Sequence, residues 1–431
     1  MNAVAVQADG KVVVGGTFTT SPGNYLARFN ADGTPDAVFN ANVGTTLDSP
    51  VSAVAVQGDG AIVVGGAFTA PSSALARFNA NGTPDTTFNT AVGTTINGTV
   101  NSVAVQGDGA IVVGGAFSNP SSRLARFTTA GTPDTAFNTA VGVNLNGTVY
   151  SVAVQADGAI VVGGFFGSPG NRLARFTAAG TPDTTFNSNV GTTLAGLVTS
   201  VTEQADGNIV VGGTFLTDDS RHLARFTAAG APDTTFNTNV GNTLDSPVSA
   251  VAVQADGKIV VGGSFLAPSV GMARFTAAGT PDTTFNTNVG STINGTVTSV
   301  AVQANGKIVV GGVFVNASSR GLARFFASTV PGAPVITSAT GGDRSASVAF
   351  TPGDDGGAAI TDYQYRLDGS GAWRSTGSTS SPVTINGLTN GTPVRIQLRA
   401  VNSVGPGKAS NTVTTTPRTT PGAPKIIAVT A

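Results

Sequence analysis

The hydrophobic residues of this chain fall in short runs that alternate with polar residues and are separated by turn-forming residues. The segment Val100-Asn-Ser-Val-Ala-Val-Gln106 is followed by Gly-Asp-Gly and then by the apolar run Ala110-Ile-Val-Val-Gly-Gly-Ala-Phe117. Alternation with a period of two and many β-branched residues are typical of strands, and no segment shows the 3.6-residue period of an amphipathic helix. The pattern therefore predicts an all-β fold.

The strand pattern recurs seven times within residues 1–328, in units of 49 or 50 residues. Asp-Gly joins the first two runs of six copies and Asn305-Gly306 joins them in the last, and both dipeptides suit tight hairpins. Three to four strands per unit of this length predict a seven-bladed β-propeller, in which the Pro-Asp-Thr-Thr-Phe segment would form the outer strand.

Each Val-Val run ends in a glycine pair, which we interpret as a place where neighbouring strands approach closely. A phosphate-binding glycine loop would require a following helix, and strand residues follow here instead. The seven pairs are Gly15-Gly16, Gly65-Gly66, Gly114-Gly115, Gly163-Gly164, Gly212-Gly213, Gly262-Gly263 and Gly311-Gly312.

The repeated string Val-Ala-Val-Gln-x-Asp-Gly-Lys-Ile-Val-Val-Gly-Gly-x-Phe, followed by Leu-Ala-Arg-Phe and Pro-Asp-Thr-Thr-Phe, resembles the bacterial delta-60 repeat. The resemblance covers residues 1–328 and implies a seven-bladed propeller on a secreted or surface protein, with no catalytic residues. Residues 329–417 resemble a fibronectin type III β-sandwich, through Tyr363, Tyr365, Trp373 and the run beginning at Arg395. Residues 418–431 contain a second Pro-Gly-Ala-Pro, which predicts a linker and the truncated start of another such unit.

The composition excludes several kinds of function. Charged residues make up 10% of the chain and the net charge is −1, which argues against nucleic-acid binding and against a polybasic membrane contact. There is no Cys and only one His, so a thiolate nucleophile and a poly-His metal site are excluded. No run is long enough to insert into a membrane as a helix. We expect no cofactor and no metal.

Every Leu-Ala-Arg-Phe strand carries an Arg, and in six copies an Asp follows eight residues later. We interpret each combination as a charge-assisted structural pair, with the Asp as an alternative cap of its own turn; a seven-fold ligand ring is the competing interpretation. The pairs are Arg28 and Asp36, Arg77 and Asp85, Arg126 and Asp134, Arg175 and Asp183, Arg225 and Asp233, and Arg274 and Asp282.

The copies differ chiefly in the loop between the second and third strands, so a binding surface is expected on that rim. One such loop contains the only His, close to two Asp residues, a weak metal-site pattern that more often forms a solvated loop. The candidate ligand-binding residues are Tyr25, Asn171, Arg172, Asp218, Asp219, Arg221 and His222. Glu203, the only Glu, stands where most copies have Val, and is either paired locally or functional.

Met1 falls inside a strand of the first copy, and the seventh copy lacks its Pro-Asp-Thr-Thr-Phe segment, so Arg324 has no downstream Asp. We expect a chain cut at both ends and a seventh blade whose open edge is bare or completed by another segment or chain, a route to self-association.

Three functions follow, in order of preference. The first is a non-catalytic extracellular or cell-surface structural or adhesion module, with the propeller displayed on fibronectin-type spacers. This function includes a role as a subunit of a surface assembly or filament. Its partner would be a protein or a cell-surface polysaccharide. The second is a lectin using the variable rim, where Tyr25 is the one aromatic residue singled out. The third is a polysaccharide-active enzyme, which requires two converging carboxylates where the inner strands supply only Glu203.

Overall fold

The computed structural model describes residues 1–19, 23–315, 320–325, 330–355, 359–369, 371–402 and 404–419. The chain divides into two compact units, Met1–Phe325 and Phe326–Ala431. This division lies three residues before the predicted boundary between 328 and 329. Most of the predicted segment 418–431 lies outside the described residues.

The first unit contains seven antiparallel sheets of three sequential strands each, which we number as blades 1 to 7. The strands are β1 (Ala3–Val6), β2 (Val12–Gly15) and β3 (Leu26–Phe29) in blade 1; β4 (Val51–Val56), β5 (Ile62–Gly66) and β6 (Leu75–Phe78) in blade 2; β7 (Thr99–Val105), β8 (Ile111–Ala116) and β9 (Leu124–Phe127) in blade 3; β10 (Thr148–Val154), β11 (Ile160–Phe165) and β12 (Leu173–Phe176) in blade 4; β13 (Val198–Glu203), β14 (Ile209–Leu216) and β15 (Arg221–Phe226) in blade 5; β16 (Val248–Val253), β17 (Ile259–Gly263) and β18 (Met272–Phe275) in blade 6; and β19 (Asn294–Val302), β20 (Ile308–Val315) and β21 (Arg320–Phe325) in blade 7.

The prediction of an outer strand is wrong, because the segment after Pro-Asp forms a seven-residue α-helix in blades 1 to 6. In α1 the Asp36 carboxylate accepts a hydrogen bond from the amide of Phe39, and Gly44 ends the helix at a φ of 50°. Phe39 and Val43, four residues apart, are fully buried on one helix face. A helix of two turns is too short to show its period in the sequence. The helices are α1 (Ala37–Val43), α2 (Thr86–Val92), α3 (Thr135–Val141), α4 (Thr184–Val190), α5 (Thr234–Val240) and α6 (Thr283–Val289).

Each of the helices α1 to α5 packs into the junction between its own blade and the next. The buried residues of α1 lie in one core cluster with residues of blade 1 and blade 2, so the helix fills the space where the two sheets diverge. This cluster contains Val13, Leu26, Phe39, Val43, Leu47, Val51, Ile62, Val64, Phe68, Ala76 and Phe78. The hydrophobic core of the first unit is thus a series of inter-blade clusters.

Blades 7 and 1 are also joined, which closes the ring. The backbone amide of Val4 donates to Ser299 Oγ at 3.0 Å, and the side-chain Nε2 of Gln303 donates to the Gly10 carbonyl at 3.2 Å. Equivalent bonds link other neighbours, such as Val152 to Ser102 in blades 4 and 3. The first unit is therefore a seven-bladed β-propeller.

The first glycine of each pair faces the next blade. A Cβ atom on Gly114 would lie 2.5 Å from Val149 Cγ1 and 2.6 Å from Val152 Cγ2. The second glycine faces main chain, because a Cβ on Gly115 would lie 2.0 Å from the Thr99 carbonyl oxygen. The sequence predicted a close approach of neighbouring strands. At the first glycine two blades approach each other closely, and at the second glycine two strands of one blade do so.

The second unit has two antiparallel sheets that share a core containing Ile336, Val348, Tyr363 and Leu398. The strands are β22 (Val335–Gly342), β23 (Ser345–Thr351), β24 (Asp362–Leu367), β25 (Arg374–Ser375), β26 (Val383–Asn386), β27 (Val394–Asn402), β28 (Gly405–Pro406) and β29 (Val413–Thr415). The first sheet has the strand order β22-β23-β26. The second has the order β25-β24-β27-β28, and β29 also pairs with β27. Among the described residues, no helix is long and apolar enough to span a bilayer.

Candidate functional site

The structure brings each repeated Arg and Asp together. In blade 3, Arg126 Nε and Nη2 both lie 2.8 Å from Asp134 Oδ2. The other oxygen, Asp134 Oδ1, accepts the amide hydrogen of Phe137 and caps α3. Both roles considered from the sequence are therefore performed by the same carboxylate. The same arrangement holds for Arg28 and Asp36, Arg77 and Asp85, Arg175 and Asp183, Arg225 and Asp233, and Arg274 and Asp282.

Each of these Arg residues also contacts the helix that follows it. The Arg126 guanidinium carbon lies 4.3 Å from the centre of the Phe137 ring, a favourable cation–π distance. The main chain of Arg126 exchanges two hydrogen bonds with the Asn138 side chain, at 2.8 and 3.0 Å. Sequence reasoning missed this Asn, although its recurrence directly after the Phe of α1 to α6 was a usable signal.

The same guanidinium reaches the next blade. Arg126 Nη1 donates to the Ala178 carbonyl at 2.8 Å, and to Oε1 of Gln106, the residue after the first strand of its own blade, at 3.3 Å. One side chain thus connects the first strand, the third strand and the helix of a blade with the following blade. The periodic Arg residues are used within the ring, and they do not converge on a shared cavity.

The Asp carboxylates of blades 1 to 5 are held in their charged form. Burial by itself would raise the pKa of Asp134, but the amide of Phe137 and the guanidinium of Arg126 outweigh burial and lower the pKa below its ordinary value. The pKa is lowered for the same reasons at Asp36, Asp85, Asp183 and Asp233.

Three predicted rim residues occupy one equivalent backbone position. Tyr25, Arg172 and His222 each precede the Leu of a third strand, at φ values of 60°, 67° and 66°. Other blades place Ala74, Arg123, Gly271 and Gly321 there, also with positive φ. This position is therefore a left-handed turn into the strand whatever its side chain.

Neither Tyr25 nor Asn171 stands out as a free rim side chain. Tyr25 is half-buried against the core cluster between blades 1 and 2. Asn171 donates from its amide to the Leu194 carbonyl at 3.2 Å, a bond that Ser73 and Ser122 make in their own blades through their hydroxyl groups. These side-chain hydrogen bonds therefore hold the rim loop against the segment that follows each helix.

Phe165 is an exposed aromatic residue of the rim that sequence reasoning missed. Its side chain is 52% exposed, and the Arg172 guanidinium lies over its ring at 4.3 Å. The equivalent position is Thr17, Ala67, Ala116, Thr214, Ser264 or Val313 in the other blades, so the substitution itself was the signal. Phe165 and Arg172 together form the candidate binding surface, which we call the blade 4 platform.

The charged loop of blade 5 contains exposed Asp218, Asp219 and Arg221, and a half-buried His222. Burial lowers the pKa of His222, the charge of Arg221 adds to this effect, and the hydrogen bond with Gly213 and the charge of Asp245 oppose it. His222 Nδ1 is buried without a hydrogen-bond partner in the structure. Within the described residues, no group of three His, Cys, Asp or Glu side chains is arranged to hold a metal ion.

Glu203 lies at the end of β13 and is partly exposed. Its Oε1 accepts a hydrogen bond from the Gln155 side-chain amide of blade 4 at 2.8 Å. The corresponding Gln57, Gln204 and Gln254 donate instead to glycine carbonyls of the next hairpin. Glu203 thus replaces a main-chain acceptor at one inter-blade contact.

Comparisons with solved structures give low similarity. An extracellular domain assigned to a hybrid two component system of B. thetaiotaomicron is 12% identical, with a TM-score of 0.40, over 97% of this chain and 68% of that one. The extracellular domain assigned to a one component system of the same organism is 11% identical, with a TM-score of 0.38, over the same shares. A human FNIII domain is 21% identical, with a TM-score of 0.20, over 25% of this chain and 97% of that one.

No curated protein matches the chain. One family model does match, and its description is a domain of unknown function (DUF5122) beta-propeller. It covers just over half of the chain, in seven segments that follow the seven repeats: residues 7–39, 57–88, 106–137, 155–186, 204–236, 254–285 and 303–328. The chain therefore belongs to the DUF5122 beta-propeller family.

Proposed function

We propose that this chain is a non-catalytic module of an extracellular or cell-surface protein, with a structural or adhesive role. The observation that carries the proposal is the use of the repeated ionic groups: six Arg–Asp pairs hold helices and neighbouring blades together. Because only 10% of the chain is charged, the surface then presents mainly Thr, Ser, Asn and Gly to a partner, which is a protein or a cell-surface polysaccharide.

The proposal includes the finer assignments of both units. The propeller repeats are of the delta-60 type, and the two-sheet second unit is a fibronectin type III domain that serves as a spacer. The shared core of its two sheets supports this assignment.

Location is tested on intact cells of the source organism with an antibody against the purified chain. We expect labelling without permeabilisation, and loss of the epitope after brief protease treatment of whole cells. Labelling that requires permeabilisation would contradict a surface role.

Catalysis is tested separately with polysaccharides from the same cell surface. We expect saturable binding without release of reducing ends or unsaturated products. Turnover that is lost in Glu203→Gln, but retained in Asp219→Asn at an exposed loop position, would establish the enzyme interpretation instead.

A carbohydrate-binding role is the second candidate, and the blade 4 platform favours it. An exposed aromatic ring with a guanidinium on one face offers both a stacking surface and hydrogen-bond donors, which suit a sugar ring. On a glycan array, Phe165→Ala should abolish binding. Val313→Ala, a change at the equivalent position of blade 7, should leave it intact. Equal binding by both variants would remove the platform from consideration.

A further inference from the structure

A groove of about 410 Å³ opens at the junction between blades 7 and 1. Most of its lining is apolar, from the second and third strands of both blades. The lining residues include Val12, Val14, Phe18, Ala27, Phe29, Val309 and Leu322.

These residues are the counterparts of the walls that enclose a helix at the other junctions. Between blades 1 and 2 the equivalent walls are Ile62, Val64, Phe68, Ala76, Phe78, Val13 and Leu26. There the space between the walls is occupied by Phe39, Val43 and Leu47. The cluster at the junction of blades 7 and 1 has the same walls, but the described residues supply no helix to it.

Exposure of the walls follows from this difference. Phe78 and Phe68 are 0% and 1% exposed, whereas the equivalent Phe29 and Phe18 are only half-buried. Leu322 is likewise half-buried, although Leu or Met at its position is fully buried in each of the other blades. An apolar surface that a helix covers between blades 1 and 2 is therefore partly open between blades 7 and 1.

The polar groups at the groove show the same difference. Arg324 is exposed, keeps its bond to the next blade through the Ala31 carbonyl, and makes no ion pair with a described residue. Gln303 Oε1 is buried without a partner, whereas the equivalent Gln7 Oε1 accepts a hydrogen bond from Arg28 at 3.3 Å. In the other blades the capping Asp draws the guanidinium into a position from which it bonds this Gln.

We propose that the groove is a docking site for a helical peptide segment of a partner polypeptide with the sequence Asp-x-x-Phe-Asn-x-x-Val-Gly-x-x-Leu or Ile. All six helices in the described part of the chain carry that pattern, beginning at Asp36, Asp85, Asp134, Asp183, Asp233 and Asp282. The Asp pairs with Arg324, the Phe stacks on its guanidinium, and the Val and the last residue fill the apolar walls.

The observations favour a separate segment over a second copy of the ring. Each of the six segments already fills a junction of its own ring, and its Phe and Val are almost fully buried there. A second copy could donate one only by opening the same kind of groove in itself. A segment that is not seated in a ring carries no such cost.

The probe is a fluorescein-labelled peptide with the sequence of residues 281–293, titrated with the full 431-residue chain and followed by anisotropy. We expect saturable binding, weakened at least about tenfold in peptides with Phe285→Ala or Asp282→Asn. The chain with Arg324→Gln should bind the original peptide more weakly, and Asp282→Asn should add little further loss to it, because both changes remove the same ion pair. Arg374→Gln, an equal change of charge at an exposed site in the second unit, should bind normally.

A second chain carries a copy of residues 35–50 immediately before Met1, which occupies the place of Val51 in the repeat. We expect a higher melting temperature and loss of peptide binding, because the added segment fills the groove. The same extension with Phe39→Ala and Val43→Ala in the added copy should do neither.

Two results would overturn the proposal. One is the absence of saturable binding up to about 1 mM peptide, the weakest affinity worth assigning to a specific site. The other is a dimer, seen by sedimentation, that the helical extension dissociates, because a second copy would then be the occupant.

Discussion

Asp36 bonds Arg28 through Oδ2, at 2.8 Å, and caps α1 through Oδ1, at 3.2 Å from the amide nitrogen of Phe39. A single carboxylate therefore fixes both the start of the helix and the position of the guanidinium. Because that guanidinium also bonds the Ala80 carbonyl at 2.7 Å, the fold of one blade is tied directly to the packing of the next.

Removing one such carboxylate should destabilise the propeller strongly. Asp134→Ala leaves Arg126 unpaired and α3 uncapped, so we expect a loss of about 2–4 kcal/mol in the free energy of unfolding. Asp134→Asn keeps a capping oxygen and should lose less. Urea unfolding measures both, with exposed Asp219→Ala expected within about 0.5 kcal/mol of the wild type. An equal loss in all three variants would show that the pair has no special role.

The first glycine of each pair should not accept a side chain. Gly114→Ala forces a methyl group against Val149 and Val152, so we expect a loss of about 1–3 kcal/mol. Gly107→Ala in the same blade meets nothing within 4 Å and serves as the control. Thermal unfolding that ranks the two variants the other way would contradict the inter-blade contact.

The rim position before the third strand should tolerate only residues that readily adopt a left-handed backbone conformation. Arg123 has a φ of 68°, where a β-branched residue is strained, so Arg123→Val should cost about 1–2 kcal/mol. Arg123→Gly should be tolerated, because Gly271 and Gly321 already occupy this position in other blades. Urea unfolding of both variants tests the prediction, which fails if Val is tolerated as well as Gly.

His222 should make stability depend on pH near neutrality. Its pKa is lower in the folded chain than the ordinary value of 6.5, so the unfolded chain binds the proton first. Stability should therefore fall as the pH drops below 6.5. Between pH 7.5 and 5.5 the melting temperature of the wild type should decrease more steeply with falling pH than that of His222→Asn. Parallel curves would show that His222 does not contribute.

The Asp–Arg pairs should determine unfolding in acid. Because the folded pKa values of Asp36, Asp85, Asp134, Asp183 and Asp233 lie below the ordinary 3.8, the stabilisation by these groups is present above that pH and is lost as the pH falls through the folded pKa. Thermal scans from pH 5 to pH 2.5 should show this loss, and Asp134→Asn should reduce its steepness. No change of slope in that variant would contradict the assignment.

Much of the propeller could be predicted from local pattern. The Asp-Gly hairpins, the Val-Val strands and the seven-fold period each follow from the conformational preferences of adjacent residues. The segment beginning at Asp36 could not be assigned in this way. Its helix spans only two turns, and its Phe39 and Val43 are buried by two different blades, so the hydrophobic surface that stabilises it is remote in sequence.

The candidate sites divide in the same manner. The pair of Arg28 and Asp36 was recognisable because the Asp lies eight residues after the Arg in every complete copy. Both members of the pair therefore belong to the same repeat. The exposure of Phe165 and of the groove beside Leu322 could not be predicted, although the Phe itself and the incomplete seventh repeat are visible in the sequence, since exposure depends on which neighbouring blade or helix covers a side chain.

The sequence by itself determined the number of repeats, the hairpins and the pairing of charges within each repeat, because these depend on residues close together along the chain. Only the tertiary structure decided that the last segment of each complete repeat is a helix, and which apolar side chains stay exposed where the seventh repeat lacks that segment. Both depend on contacts between blades, and no single repeat contains both sides of such a contact.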